Sequence, residues 1–137
     1  MRTQRRSHSC ILIQDDQRKK KVLVVGGTHK NNDHDSMGDL KSSEIYDPET
    51  EKWSYGIDLP ASVQSSTLVT TSKTSKYIAL LVGGYQSNAY SNRIYGLTKD
   101  MAMWEEVGYF TTPRKGHVAM QLPPQMVQEC EANQDEK

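Results

Sequence analysis

Apolar positions in this chain gather into two short unbroken runs. Val22-Leu23-Val24-Val25 leads into Gly26-Gly27, and Tyr77-Ile78-Ala79-Leu80-Leu81-Val82 leads into Gly83-Gly84. Each follows a lysine, Lys21 or Lys76. A brief continuous run rich in branched residues and closed by a turn signal reads as a strand buried on both faces. The runs are too short for buried helices, and the paired glycines stop them. A glycine doublet there suits a sharp exit needing positive φ or close neighbours.

Around these runs the pattern predicts further strands. His8–Gln14 pairs with Lys21–Val25 across a turn at 15–20, and a long polar loop, 28–42, leads to Ser43–Tyr46. Asp47-Pro48-Glu49-Thr50 is turn chemistry, because Asp bonds nearby backbone and proline fixes φ. Trp53 opens an outer strand and offers a large apolar area. In the second half the expected strands are Ser65–Thr71, Tyr77–Val82, Asn92–Leu97 and Met103–Val107, with a loop at 85–91. His117–Leu122 offers one strand more, and Pro123-Pro124 precedes a polar tail expected to be disordered.

The markers recur in order. Gly26 to Gly83 is 57 positions, Ile45-Tyr46 to Ile94-Tyr95 is 49, and Trp53 to Trp104 is 51. A period near fifty indicates stacked repeats rather than one irregular domain.

Gly26, Gly27, Tyr46, Asp47, Pro48, Thr50 and Trp53 follow a pattern that resembles the kelch repeat, a four-stranded blade of a β-propeller. The second unit keeps Gly83, Gly84, Tyr95 and Trp104, but has Gly96-Leu97 for Asp-Pro and a longer Tyr-to-Trp spacing. Pro113-Arg114-Lys115-Gly116-His117 is similar to the opening of a third unit, as Arg5-Arg6-Ser7-His8 is to that of the first. The resemblance covers residues 5–122. It implies an all-β fold: two four-stranded antiparallel kelch-type propeller blades, at 1–58 and 59–112, plus a strand of a third at 113–122, in an incomplete ring. A closed ring takes about four to eight blades. Two expectations stay open: a piece of a longer product, which is preferred, or closure by assembly with further blades or chains.

Composition narrows the function. Lysine plus arginine equal aspartate plus glutamate at 17 each, so no global charge marks a nucleic-acid binder. Arg18-Lys19-Lys20-Lys21 reads as a solvated turn, with a basic docking patch as the alternative. No apolar run is long enough to span a bilayer, and Cys10–Ile13 is too short for the core of a secretory signal. Cys10 and Cys130 sit in unlike settings and read as free thiols, which with the missing leader gives a cytoplasmic expectation.

Candidate chemistry is thin. Asp33, Asp35, Gly38 and Glu44 fall at calcium-loop positions, but Met37 supplies no oxygen and neither flank can form a helix. His29 and His34 with Asp33 and Asp35 lack a scaffold that fixes zinc geometry. The glycine doublets match no phosphate-binding fingerprint. Cys10 beside His8 has no third orienting group and reads as a buried cysteine with a structural histidine. No catalytic residue, metal or cofactor is expected.

What remains is recognition. The kelch resemblance implies contact residues just after each glycine pair and after each opening arginine: Thr28, Lys30, Tyr85, Ser87, Arg6, Ser7 and Lys115. The long loop adds Asn31, Asn32 and His34. This set suits a protein or peptide partner that is acidic or phosphorylated. The implied function is a non-catalytic interaction module like the substrate-recognition part of a cullin-dependent ubiquitin-ligase adaptor, or like an actin-associated kelch protein. The alternative is a fragment of a kelch-fold enzyme such as a sialic-acid epimerase or copper radical oxidase, which would need a convergent central polar site.

Overall fold

A computed structural model describes residues 1–15, 17–30 and 37–122. These form strands and no helix: β1 (Ser9–Gln14), β2 (Lys20–Val25), β3 (Thr28–Lys30), β4 (Met37–Asp39), β5 (Ser43–Asp47), β6 (Lys52–Tyr55), β7 (Thr67–Thr70), β8 (Tyr77–Gln86), β9 (Ala89–Thr98) and β10 (Trp104–Tyr109). Every pairing is antiparallel. One four-stranded sheet has the order β1-β2-β5-β6, a second has β10-β9-β8-β7, and β3 pairs with β4. Neither sheet closes on itself. The two apolar runs thus lie in different sheets, each flanked by strands on both sides. No helix among the described residues is long and apolar enough to cross a membrane.

Three features depart from the sequence reading. First, the segments after the glycines are hairpins rather than plain loops. Gly83-Gly84 sit inside β8 at a shift of register between Val82 and Gly84, and the ladder continues to Gln86 opposite Ala89. Ser87 and Asn88 turn the chain with φ of 49° and 62°, the two positive values a tight two-residue hairpin requires. In the first unit β3 and β4 make the corresponding extension. Second, the segment 113–122 carries no strand. A strand needs a ladder neighbour, and no described residue supplies one for 117–122. The tail at 123–137 lies outside the described residues.

Third, the Ile-Tyr match is out of register. Tyr46 stands opposite Val22 and Trp53, whereas the residue between Ala79 and Trp104 is Leu97. Leu97, not Tyr95, is therefore the counterpart of Tyr46. The apparent lengthening between Tyr95 and Trp104 disappears once this is seen. Tyr95, opposite Leu81, corresponds instead to Glu44, opposite Val24.

The core lies between the sheets. Ile13, Leu23 and Val25 of the first pack with Leu68, Ala79, Leu81, Tyr95, Leu97 and Trp104 of the second, and the linker adds Leu59 and Val63. Period-two alternation turns neighbouring residues the other way. Leu12, next to Ile13, is 52% exposed. Cys10, expected to be buried, is exposed for the same reason. The tryptophans separate likewise. Trp104 is 7% exposed and its indole N–H donates to the Ile57 carbonyl at 3.2 Å, tying the second sheet to the end of the first. Trp53 is only half-buried, its ring 5.1 Å from that of Tyr46.

The glycine doublets make the joint between units. Gly26 and Gly83 have φ of 61° and 58°. A Cβ on Gly26 would lie 2.3 Å from the Val63 carbonyl oxygen, and one on Gly83 would lie 2.8 Å from that of Arg114. The next amides use those same carbonyls: Gly27 N donates to Val63 O at 2.8 Å, and Gly84 N to Arg114 O at 2.9 Å. Ser9 Oγ donates to the Ser66 carbonyl at 2.6 Å, and Thr67 Oγ1 donates to that of His117. Residues 113–117 therefore dock on the second sheet as 62–66 dock on the first.

Candidate recognition rim

Of the expected contact residues, Arg6, Ser7, Thr28, Tyr85 and Lys115 lie where the strands β1 and β7 begin. Arg6 and Thr28 exchange two backbone hydrogen bonds, at 2.9 and 2.8 Å; Gln64 and Tyr85 repeat the exchange at 3.0 and 2.7 Å. The units are then linked in series. Ser65 N donates to Ser7 O, and Gly116 N donates to Ser65 O, both at 2.8 Å. Ser7, Ser65 and Gly116 share φ of 53°, 52° and 63°. A non-glycine residue in that region costs about 1–3 kcal/mol and persists only when its surroundings hold it, which these linking bonds do.

Arg6, Ser7 and Lys115 project from this row and are exposed. Lys115 Nζ sits 4.7 Å from the Tyr85 ring centre and 5.4 Å from that of Tyr90. The two tyrosines meet edge to face at 5.8 Å. A cation over aromatic faces is positioned without being neutralised, so it stays available to an incoming anion. Ser87, at the hairpin tip, borders a shallow hollow of about 440 Å³ that Tyr90, Asn92 and Arg93 also line. Thr28 is buried at 3% exposure, so it serves the rim through its backbone rather than as a contact side chain. Lys30 ends β3 opposite Met37. Asn31, Asn32 and His34, with the acidic positions 33 and 35 of the calcium and zinc readings, lie outside the described residues.

Gln64, Ser65 and Tyr90 belong to this rim and were not anticipated. Gln64 follows from Arg6 once the repeat is aligned at its openings. Tyr90 follows from Tyr85 if Ser87-Asn88 is read as a two-residue turn.

Beneath the rim lies a buried ion pair. Arg5 Nη2 meets Glu44 Oε1 at 2.7 Å, and both side chains are 0% exposed. Arg5 Nη1 also donates to the carbonyls of Gly26 and Ser42, at 2.9 and 3.0 Å. The amides of Arg2 and Thr3 donate to Glu44 at 2.6 and 3.0 Å. Burial pushes the Glu44 carboxyl upward, but the Arg2 amide, the Arg5 guanidinium and the Thr3 amide together hold it below its ordinary value. In the second unit Val63 and Tyr95 occupy the corresponding places, and both belong to the apolar core. The same joint is thus sealed by charge once and by apolar packing once.

Among the described residues no three histidine, cysteine, aspartate or glutamate side chains are placed to hold a metal. Neither any family model nor any curated protein compared with the chain matches it.

Proposed function

We propose that this chain is a non-catalytic, kelch-type protein-interaction module, its two sheets being neighbouring propeller blades and its rim the binding surface. The single observation that carries the reading is the serial rim, in which one backbone joint sets Arg6 and Lys115 at corresponding places two units apart. Both side chains are cationic, and Lys115 stands on a tyrosine pair. The partner this favours is an acidic or phosphorylated peptide lying across the row, as a substrate lies on a ubiquitin-ligase adaptor or a filament subunit on an actin-associated kelch protein. Further blades, supplied by a longer chain or by other chains, would complete the ring. The free, exposed Cys10 thiol fits a reducing compartment, and the reading includes a cytoplasmic location.

Panning the full chain against a random peptide library tests this. Enriched peptides should be acidic, and Lys115→Glu or Arg6→Glu should weaken them by about tenfold or more each, since hydrogen bonds to charged groups contribute roughly 1.5–3 kcal/mol. Enrichment of basic or apolar peptides, or equal binding by both variants, would overturn it.

A further inference from the structure

The opposite end of the sheets carries a second cationic site that does not depend on the rim. There the β1–β2 turn of the first sheet faces the β7–β8 turn of the second across a cleft of about 610 Å³. Arg18 and Lys20 stand on one wall, Lys73 and Lys99 on the other, and Ile13 and Ile78 lie between them. The volume falls within the range of small-molecule sites, about 300–1,000 Å³.

The charge is unbalanced in a specific way. Among the described residues Asp15 is the carboxylate that lines the cleft, and it is already committed: its Oδ2 meets Lys21 Nζ at 2.9 Å, and its Oδ1 accepts from the amides of Gln17 and Lys19 at 3.0 and 2.9 Å. Nearby Lys19 and Lys76, which do not line the cleft, pair with Glu49 at 3.2 Å and Glu105 at 2.7 Å. Arg18, Lys20 and Lys73 form no ion pair among the described residues, and Lys99 Nζ donates to the Lys73 carbonyl. Among the described residues, carboxylates therefore pair with the cations around the cleft and leave those within it unmatched.

We infer that this cleft binds a small polyanion carrying at least two phosphate groups, one engaged from each sheet. Two separated charges match cations that belong to two walls. Small size follows from the cleft's volume. An extended nucleic acid would want stacking rings, and the lining aromatic, Tyr77, has its ring against Gly96 and 5.4 Å from Lys76 Nζ.

The test is calorimetric titration of the full chain with tripolyphosphate and, separately, inorganic phosphate at matched ionic strength. Expected is one saturable site for tripolyphosphate, at least about tenfold tighter than for phosphate. Arg18→Gln and Lys73→Gln, both on exposed turns, should each weaken it by about tenfold, while Lys115→Gln at the rim leaves it unchanged. Circular dichroism confirms that each variant is folded. Non-saturable heats, equal affinity for phosphate, or an equal loss in Lys115→Gln would overturn the inference; so would retention of full affinity in both cleft variants.

Discussion

Gly26 shows how much one missing side chain can decide. Its positive φ alone would strain any other residue, and its Cβ position is already taken by the Val63 carbonyl at 2.3 Å. Backbone cannot step aside as a flexible side chain would, so Gly26→Ala should lose at least about 1–3 kcal/mol. A lowered midpoint in urea with an unchanged slope would report this. Glu44 makes a different demand. Its carboxyl titrates below the ordinary 4.5 when folded, so the ion form stabilises the fold fully above that value. The contribution then drains away as pH falls through the lower folded value. Glu44→Gln should therefore cost about 3–5 kcal/mol near neutrality by leaving Arg5 charged, buried and unpaired. It should also flatten the loss of stability between pH 4.5 and the folded titration point. Urea unfolding repeated across that window measures both effects.

At the scale of strands and hairpins, much was legible in the sequence. The apolar runs, their glycine stops and the turn at Asp47-Pro48 are local signals, and eight of the strands fall where those signals put them. Legibility failed where equivalence is set by ladder register. Tyr46 and Tyr95 look alike in sequence, yet the pairing assigns Leu97 to the place of Tyr46. It also failed beyond the glycines, because a two-residue turn at Ser87-Asn88 is a weak signal without its flanking pair. The Arg5–Glu44 contact could not be read at all, since nothing in a separation of 39 positions marks two polar residues as neighbours. The two tryptophans hold corresponding places but not corresponding loads. Trp104→Ala should cost about 3–5 kcal/mol, because its ring is buried between the sheets and its N–H is bonded. Trp53→Ala should cost clearly less, because its ring is only half-buried. Comparing the two urea midpoints decides whether the sheets stack as described.

For the molecule as a whole, the organising fact is that a single joint is used twice. It brings 62–66 onto the first sheet and 113–117 onto the second, and so lays the rim out as a row. Arg6, Gln64 and Lys115 are corresponding residues on three successive openings, two of which are bridged to a partner, Thr28 or Tyr85. Outside the joint the faces differ: Leu12 at one end, and Val118 and Met120 at the other, are 52%, 82% and 72% exposed. Stacked units of this kind draw stability from their neighbours, so the joints rather than the isolated sheets should set how firmly the rim is held. Native-state amide hydrogen exchange reads that directly. The amides of Gly27, Thr28, Gln64, Ser65, Gly84 and Tyr85 should be protected together with the central strands β2 and β8. Free exchange at those six amides beside protected strands would contradict the repeated joint and the rim built on it.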